Sequence, residues 1–447
     1  MVFIAADYLA IAIYVAILII IGYITSRKQS SESFLIADRK LTTLSGMATI
    51  NATKTGAILL IFVALLYTYG FSAMWYFIGI ITGYLVFLPF AVKLHKKSKG
   101  SYYTLANYFR HNYGKSTSNF ASVINMTTML GFYTANLMAA SLVFEFFTGI
   151  SFALSSIIIA TVILTYLILA GFKAVVRTDL FQYLAIIFIL TAFMFVLAPG
   201  VSIPATEWSL FSADISFVLA AFIMGIMFPF ASPDLWQRVY AMPNIKTLKK
   251  SILSSVGLYL FVAAVVAVVG LVIKTQLPLL NPNIALVEGF VRLLPVGLSG
   301  LAVVVFFSAF MSSLDTYVYT ASAALVHDFF GQLNKEQTVK AIRKAMFLLT
   351  IPATILSIAI GDIIDISFIF VAFVIILAFP VICTWVKPSI KSRTLNTMFA
   401  FSFVLLVSLV IIDFIQGTLN ELIVLKALGL SMAGLVIGSV YSKIKAS

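Results

Sequence analysis

Ser312 and Ser313 stand side by side in the apolar run 301–326, with Ala309 before them and Thr316 after them. Wound as a helix at about 3.6 residues per turn, that run places Ala309, Ser312, Ser313 and Thr316 on one face. Two hydroxyls and the carbonyl of a small residue one turn earlier are hard oxygen ligands without fixed charge. Such a set suits a partly dehydrated monovalent cation better than a divalent metal. Ser and Thr in apolar helices also bond back to their own carbonyls and let helices pack closely, a purely structural use of the same residues. Asp315 weighs toward the ion, because an acid deep in an apolar helix is costly unless it faces a cavity, an ion or a partner.

The elements that must position these groups are membrane helices. Hydrophobic residues make up 62% of the 447-residue chain and charged residues 10%, and mean hydropathy is +1.09, far outside the soluble globular range. The fold class is an all-α polytopic membrane protein. Apolar spans predict thirteen helices, near 7–24, 42–68, 72–92, 118–147, 152–170, 178–198, 216–232, 251–273, 298–326, 345–360, 363–386, 396–416 and 422–441. The first run carries no cleavage signature and is expected to remain as a helix.

The net charge of +13 is a topology signal. With the N-terminus outside, most basic residues fall in loops facing the cytoplasm, from Arg27 and Lys28 through Lys93–Lys99, Arg238 and Lys246 to Lys443. This arrangement implies a plasma-membrane protein with a cytoplasmic C-terminus, lipid around it and no nucleic-acid partner. The one cysteine, Cys383, excludes an internal disulfide and a thiol metal cluster. His95, His111 and His327 lie at predicted cytoplasmic positions, and no helix pair gathers acids, histidines and nucleophiles into an enzyme centre. The chain reads as no enzyme.

Two spans are expected to be broken. The span 42–68 is interrupted by Thr49, Asn51, Thr53, Lys54, Thr55 and Gly56, and Pro229, at the end of 216–232, and Pro233, just beyond the span, each remove a backbone donor. Backbone broken at membrane depth is tolerated where it lines a cavity, and paired broken helices are expected to hold solute between inverted repeats. Pocket candidates are Asn51, Lys54, Trp75, Phe228 and Tyr259. Lys54 is too deep to snorkel. It either meets a substrate carboxylate, acts as a tethered cation in place of an ion, or pairs structurally with Asp315 or another buried acid.

The segment AFMSSLDTYVYTASAALVHDFF resembles the ion-site helix of the sodium:solute symporter family, with Ala309, Ser312 and Ser313 matching residue for residue. FLIADRKLT from Phe34, AGFKAVVRTDLFQYLA with Gly171, Thr178, Asp179 and Gln182, and DLWQRVYAMPN resemble further family signatures in the same order. The resemblance implies a LeuT-type fold: 1–41 as a leading helix and connector, 42–198 and 216–387 as two inverted five-helix repeats, 199–215 as an outer linker, and 388–447 as a closing hairpin. It implies Na+ as the coupling ion, held by the carbonyls of Thr49 and Ala52 with Ala309, Ser312 and Ser313. Asp179, Asp315 and Thr316 would form a second cation site or the inner ion route. Lys54 departs from the family pattern.

The expected function is sodium-coupled import of a small organic solute by alternating access, with a carboxylate or amino acid favoured over a sugar. Two alternatives stay open: a sodium-independent or proton-linked carrier using Lys54 as surrogate cation, and a transporter-like membrane sensor. The sequence assigns no oligomeric state.

Overall fold

Long apolar runs without charge become helices because a backbone in lipid must satisfy its own polar groups. The computed structural model describes residues 4–26, 36–98, 100–169, 172–330 and 333–444, and all their regular elements are helical. Phe34, Gly171, Arg27, Lys28 and Lys99 lie outside the described residues. The first helices are α1 (Ala5–Ser26), α2 (Thr43–Thr55), α3 (Ile58–Tyr69), α4 (Met74–Ser98) and α5 (Leu105–Tyr113). They are followed by α6 (Lys115–Thr148), α7 (Phe152–Leu169), α8 (Phe172–Leu197), α9 (Ile215–Met227) and α10 (Pro233–Ala241). Next come α11 (Ile245–Gln276), α12 (Ala285–Leu293), α13 (Ser299–Phe329) and α14 (Lys335–Ile360), and the chain closes with α15 (Ile363–Val386), α16 (Ser392–Gln416) and α17 (Leu422–Ile444). Helices occupy every expected span. By length and hydropathy, nine stretches among the described residues can cross a membrane, taking Ile58–Ser98 as one, or ten with the bent pair α9–α10.

Both expected breaks occur. The first falls at Gly56–Ala57, at the last residue of the interrupting cluster, so Thr49 to Thr55 remain helical. Asn136 on α6 holds the break open by accepting the Ala57 N–H at 2.7 Å. The second runs from α9 through a 3-10 turn at Phe228–Ala231 into α10, a bend of 42°. Pro233 sits in the first turn of α10, where its missing N–H costs nothing.

The break in α9–α10 is braced by glycine packing. A Cβ on Gly79 would lie 2.4 Å from the Phe222 carbonyl, and one on Gly225 would lie 2.3 Å from the Tyr76 carbonyl. Glycines facing each other across the pair thus let α4 and α9 touch backbone to backbone. The ion-motif helix α13 is the axis of the molecule, buried along most of its length. Asp7 of α1 accepts the Gly300 N–H at 2.6 Å at the start of α13.

Two sequence expectations require correction. Helix α8 begins at Phe172 rather than near 178, so Asp179 lies two turns inside it rather than at its start. Arg238, grouped above with cytoplasmic loop charges, is fully buried on α10. Elsewhere Asp362 caps α15 by accepting the Ile364 and Asp365 N–H groups. Lys426 pairs with Asp413 at 2.7 Å in the terminal hairpin, as their positions suggest.

Candidate functional site

Where α2 crosses α13, oxygens converge. Ser312 Oγ lies 3.2 Å from the Ala52 carbonyl and 2.9 Å from that of Ala309. Ser313 Oγ donates to the Ala309 carbonyl at 3.1 Å and to the Thr53 carbonyl at 3.0 Å. All five residues are essentially inaccessible to solvent. Among the described residues no group of three or more His, Cys, Asp or Glu side chains could hold a metal ion. The oxygens fit a cation that needs hard, mostly neutral ligands. Thr49 is turned away from this cluster: its carbonyl accepts the Thr53 hydroxyl at 2.9 Å. Thr53, absent from the predicted ligand set, supplies the carbonyl nearest Ser313 instead.

Beneath this cluster lies a layer of buried charge. The Thr49 hydroxyl donates to Asp179 Oδ2 at 2.5 Å and accepts from Arg238 Nε and Nη2 at 3.0 and 2.8 Å. Arg238 Nη2 also reaches Thr53 Oγ1 at 2.8 Å and Thr316 Oγ1 at 3.3 Å, and lies 3.5 Å from Asp179. Asp315 is fully buried and an electrostatic neighbour of Asp179. Asp179 and Thr316 therefore meet Arg238 rather than the Ser312–Ser313 pair directly, and Asp315 stands in the electrostatic neighbourhood of Asp179. Arg238 is the component that sequence reading missed as a site residue. Its signal was the Asp234–Arg238 spacing of one helical turn, in a segment that opens with proline.

Lys54, next to Thr53, points to the other side of α2. Its Nζ contacts Ser232 Oγ at 2.5 Å and Asp234 at 2.9 Å through Oδ1 and 2.8 Å through Oδ2. It lies 4.5 Å from the Phe228 ring centre and 5.6 Å from that of Tyr317. The buried acid that Lys54 meets is Asp234 rather than Asp315. Lys54, Phe228 and Tyr317 also line a cavity of about 70 Å³, with Tyr76, Asn136 and Ser367 among its other walls. That volume accommodates roughly five waters or a compact solute.

Three pocket candidates lie elsewhere. Asn51 bonds back to the Met47 carbonyl at 3.0 Å within its own helix. Trp75 donates to the Leu210 carbonyl at 2.9 Å and meets Phe211, tying α4 to the outer linker. Tyr259 is buried behind the wall, its ring 5.3 Å from that of Phe77. None of the three lines the cavity. Aromatic residues at helical spacing specify a buried face without saying whether that face meets solute or another helix.

Gly56 joins ion cluster and cavity. A Cβ there would stand 2.1 Å from both Asn136 Oδ1 and Ser313 Oγ. Gly56→Ala is expected to displace both groups and cut sodium-driven uptake by more than tenfold while the protein remains membrane-inserted. Uptake assays normalised to folded protein check this.

Comparison with known proteins identifies the family. The family model described as "Sodium:solute symporter family" matches residues 34–390. A sodium/proline symporter of Staphylococcus aureus (strain Newman) is 22% identical over 373 residues, covering 76% of this chain and 72% of the relative. Among solved structures, a Na+-coupled sialic acid symporter in a substrate-bound outward-open state superposes with a TM-score of 0.79 at 17% identity, covering 97% of this chain and 98% of the other. A nucleobase-cation-symport-1 family transporter in a closed conformation gives 0.60 at 13% identity, covering 93% and 96%. At these identities the structural likeness shows the LeuT-type fold alone. The family match extends over most of the chain, and with it this protein belongs to the sodium:solute symporter family, a transporter and not an enzyme, with Na+ as coupling ion.

Proposed function

We propose that this symporter carries a small amino acid or carboxylate with a compact apolar body, and that Na+ binds among Ala52, Ala309, Ser312 and Ser313 in the α2–α13 seam. The convergence of the two serine hydroxyls on carbonyls of the first broken helix carries the ion assignment. Thr49 and the Asp179–Asp315–Thr316 layer form the inner route by which the ion leaves. Thr53 is the joint between ion and solute: its carbonyl faces Ser313 and Tyr317, and Thr53 also lines the cavity. An ion that orders this turn favours the state able to hold solute, and by linkage solute favours ion binding equally.

The solute class rests on Lys54. Lys54, held by Ser232 and Asp234, brings a positive charge for a carboxylate to the edge of a cavity whose walls include the apolar Ile61, Phe132, Phe228 and Phe370 beside the polar Thr53, Asn136 and Ser367. The relatives named sodium/proline symporter point to the same class. The repeats 42–198 and 216–387 move against each other in the plasma membrane, with the leading segment 1–41, linker 199–215 and hairpin 388–447 around them. The N-terminus is outside and the C-terminus cytoplasmic, following the basic loops.

Proteoliposomes with an inward sodium gradient test the proposal. Labelled small amino acids and carboxylates are expected to accumulate with sodium outside and to equilibrate only slowly with potassium. Sodium-independent accumulation, or uptake of an uncharged sugar with no amino acid or organic acid accepted, would overturn it.

A further inference from the structure

Lys54 sits in surroundings that resemble a cation site more than a packing contact. Its Nζ is met by the Ser232 hydroxyl and by both carboxylate oxygens of Asp234. The faces of Phe228 and Tyr317 close over it. Hydroxyl, carboxylate and π-faces are the groups that hold a desolvated monovalent cation. The ammonium is covalently tethered, so it cannot leave with the solute. Its side chain is 1% exposed and that of Asp234 is fully buried, so neither charge is balanced by water.

We propose that Lys54 is a built-in cation, filling beside the solute cavity a site on Ser232 and Asp234 that would otherwise require a second sodium, so that one sodium ion accompanies each solute molecule. This deepens the sodium-coupled reading above and rests on it. The two broken helices explain why the place is suited to a cation. Lys54 lies in the last turn of α2 before the first break, while Ser232 and Asp234 flank the start of α10 after the second. The cage therefore spans the interface that must rearrange in transport. A bound sodium there would be delivered with the solute on each cycle, whereas the lysine remains and neutralises Asp234 throughout.

Removal of the tether should unmask the site. Lys54→Met leaves the buried Asp234 carboxylate with the more distant Arg238, 3.5 Å away and shared with Asp179, as counter-charge, a deficit that a second sodium can balance. The test uses the purified full-length protein in detergent without solute, following thermal stabilisation as sodium replaces potassium, because the Hill coefficient cannot exceed the number of coupled sites. The wild type is expected to titrate non-cooperatively. Lys54→Met is expected to titrate with a Hill coefficient approaching two and a midpoint shifted at least tenfold. Lys54→Met/Asp234→Asn carries no stranded charge and is expected to return to the single-site curve, which keeps the test available if the single variant fails to fold. The ratio of labelled sodium to labelled solute taken up by wild-type proteoliposomes supplies an independent reading, expected to be one.

A wild-type ratio of two, cooperative wild-type binding, or a Lys54→Met curve identical to the wild type overturns the built-in cation. Uptake indifferent to sodium in the wild type instead overturns the sodium-coupled reading of the site, a result visible before any variant is made.

Discussion

Replacing Ser312 and Ser313 together by alanine is expected to raise the sodium concentration for half-maximal uptake by at least two orders of magnitude, with little change in thermal stability without sodium. Each hydroxyl lost is one neutral ligand to a charge, worth about 1.5–3 kcal/mol by the measure of hydrogen bonds to charged groups, or roughly tenfold or more in affinity. In the resting fold both hydroxyls donate to carbonyls of Ala52, Thr53 and Ala309. Those of Ala52, Thr53 and Ala309 already lie in helices, so the fold survives the change. Sodium titration of solute uptake and melting of the same preparation separate the two effects. A double variant with unchanged sodium affinity would remove this seam as the ion site.

The different legibility of the two polar layers has a physical origin. Ser312, Ser313 and Ala309 lie on one face of one helix, and 3.6-residue periodicity brings them together before any tertiary contact exists. The breaks were readable for a similar reason, since Pro229 and Pro233 act locally on the backbone. The first break falls at the end of its cluster because Thr53 and Thr55, though polar, satisfy themselves within the helix, donating to the Thr49 and Asn51 carbonyls. What interrupts the helix is Gly56, held by Asn136 from a helix distant in sequence.

The charge layer depends on such long-range contacts throughout. Lys54 and Asp234 are 180 residues apart, and Arg238 meets Thr49 across 189. Arg238 near a run of lysines looks like a loop charge in sequence, yet the bend after Pro229 carries it inward. Trp75 and Tyr259 failed as pocket residues for the converse reason. Their apolar faces were legible, but the neighbours of those faces, Phe211 and Phe77, could be named only from the packing.

Asp234→Ala is expected to be the most destabilising single change in the core. The carboxylate lies 2.8 Å from Lys54 Nζ and 3.5 Å from Arg238 Nη1, and all three side chains are at most 1% exposed. Deleting it leaves the Lys54 ammonium with a hydroxyl and two rings in place of a counter-charge, whereas Arg238 keeps Asp179. Breaking a buried pair by removing one partner costs roughly 3–5 kcal/mol, because the remaining charge stays buried. The midpoint of thermal unfolding in detergent should fall accordingly, and the yield of folded protein with it. Lys54→Met/Asp234→Ala should recover most of the loss, since the two residues touch and their effects are coupled rather than additive. Equal destabilisation by the single and double variants would mean that Asp234 acts mainly through Arg238, and that the Lys54 contact adds little to the stability of the inner half of the fold.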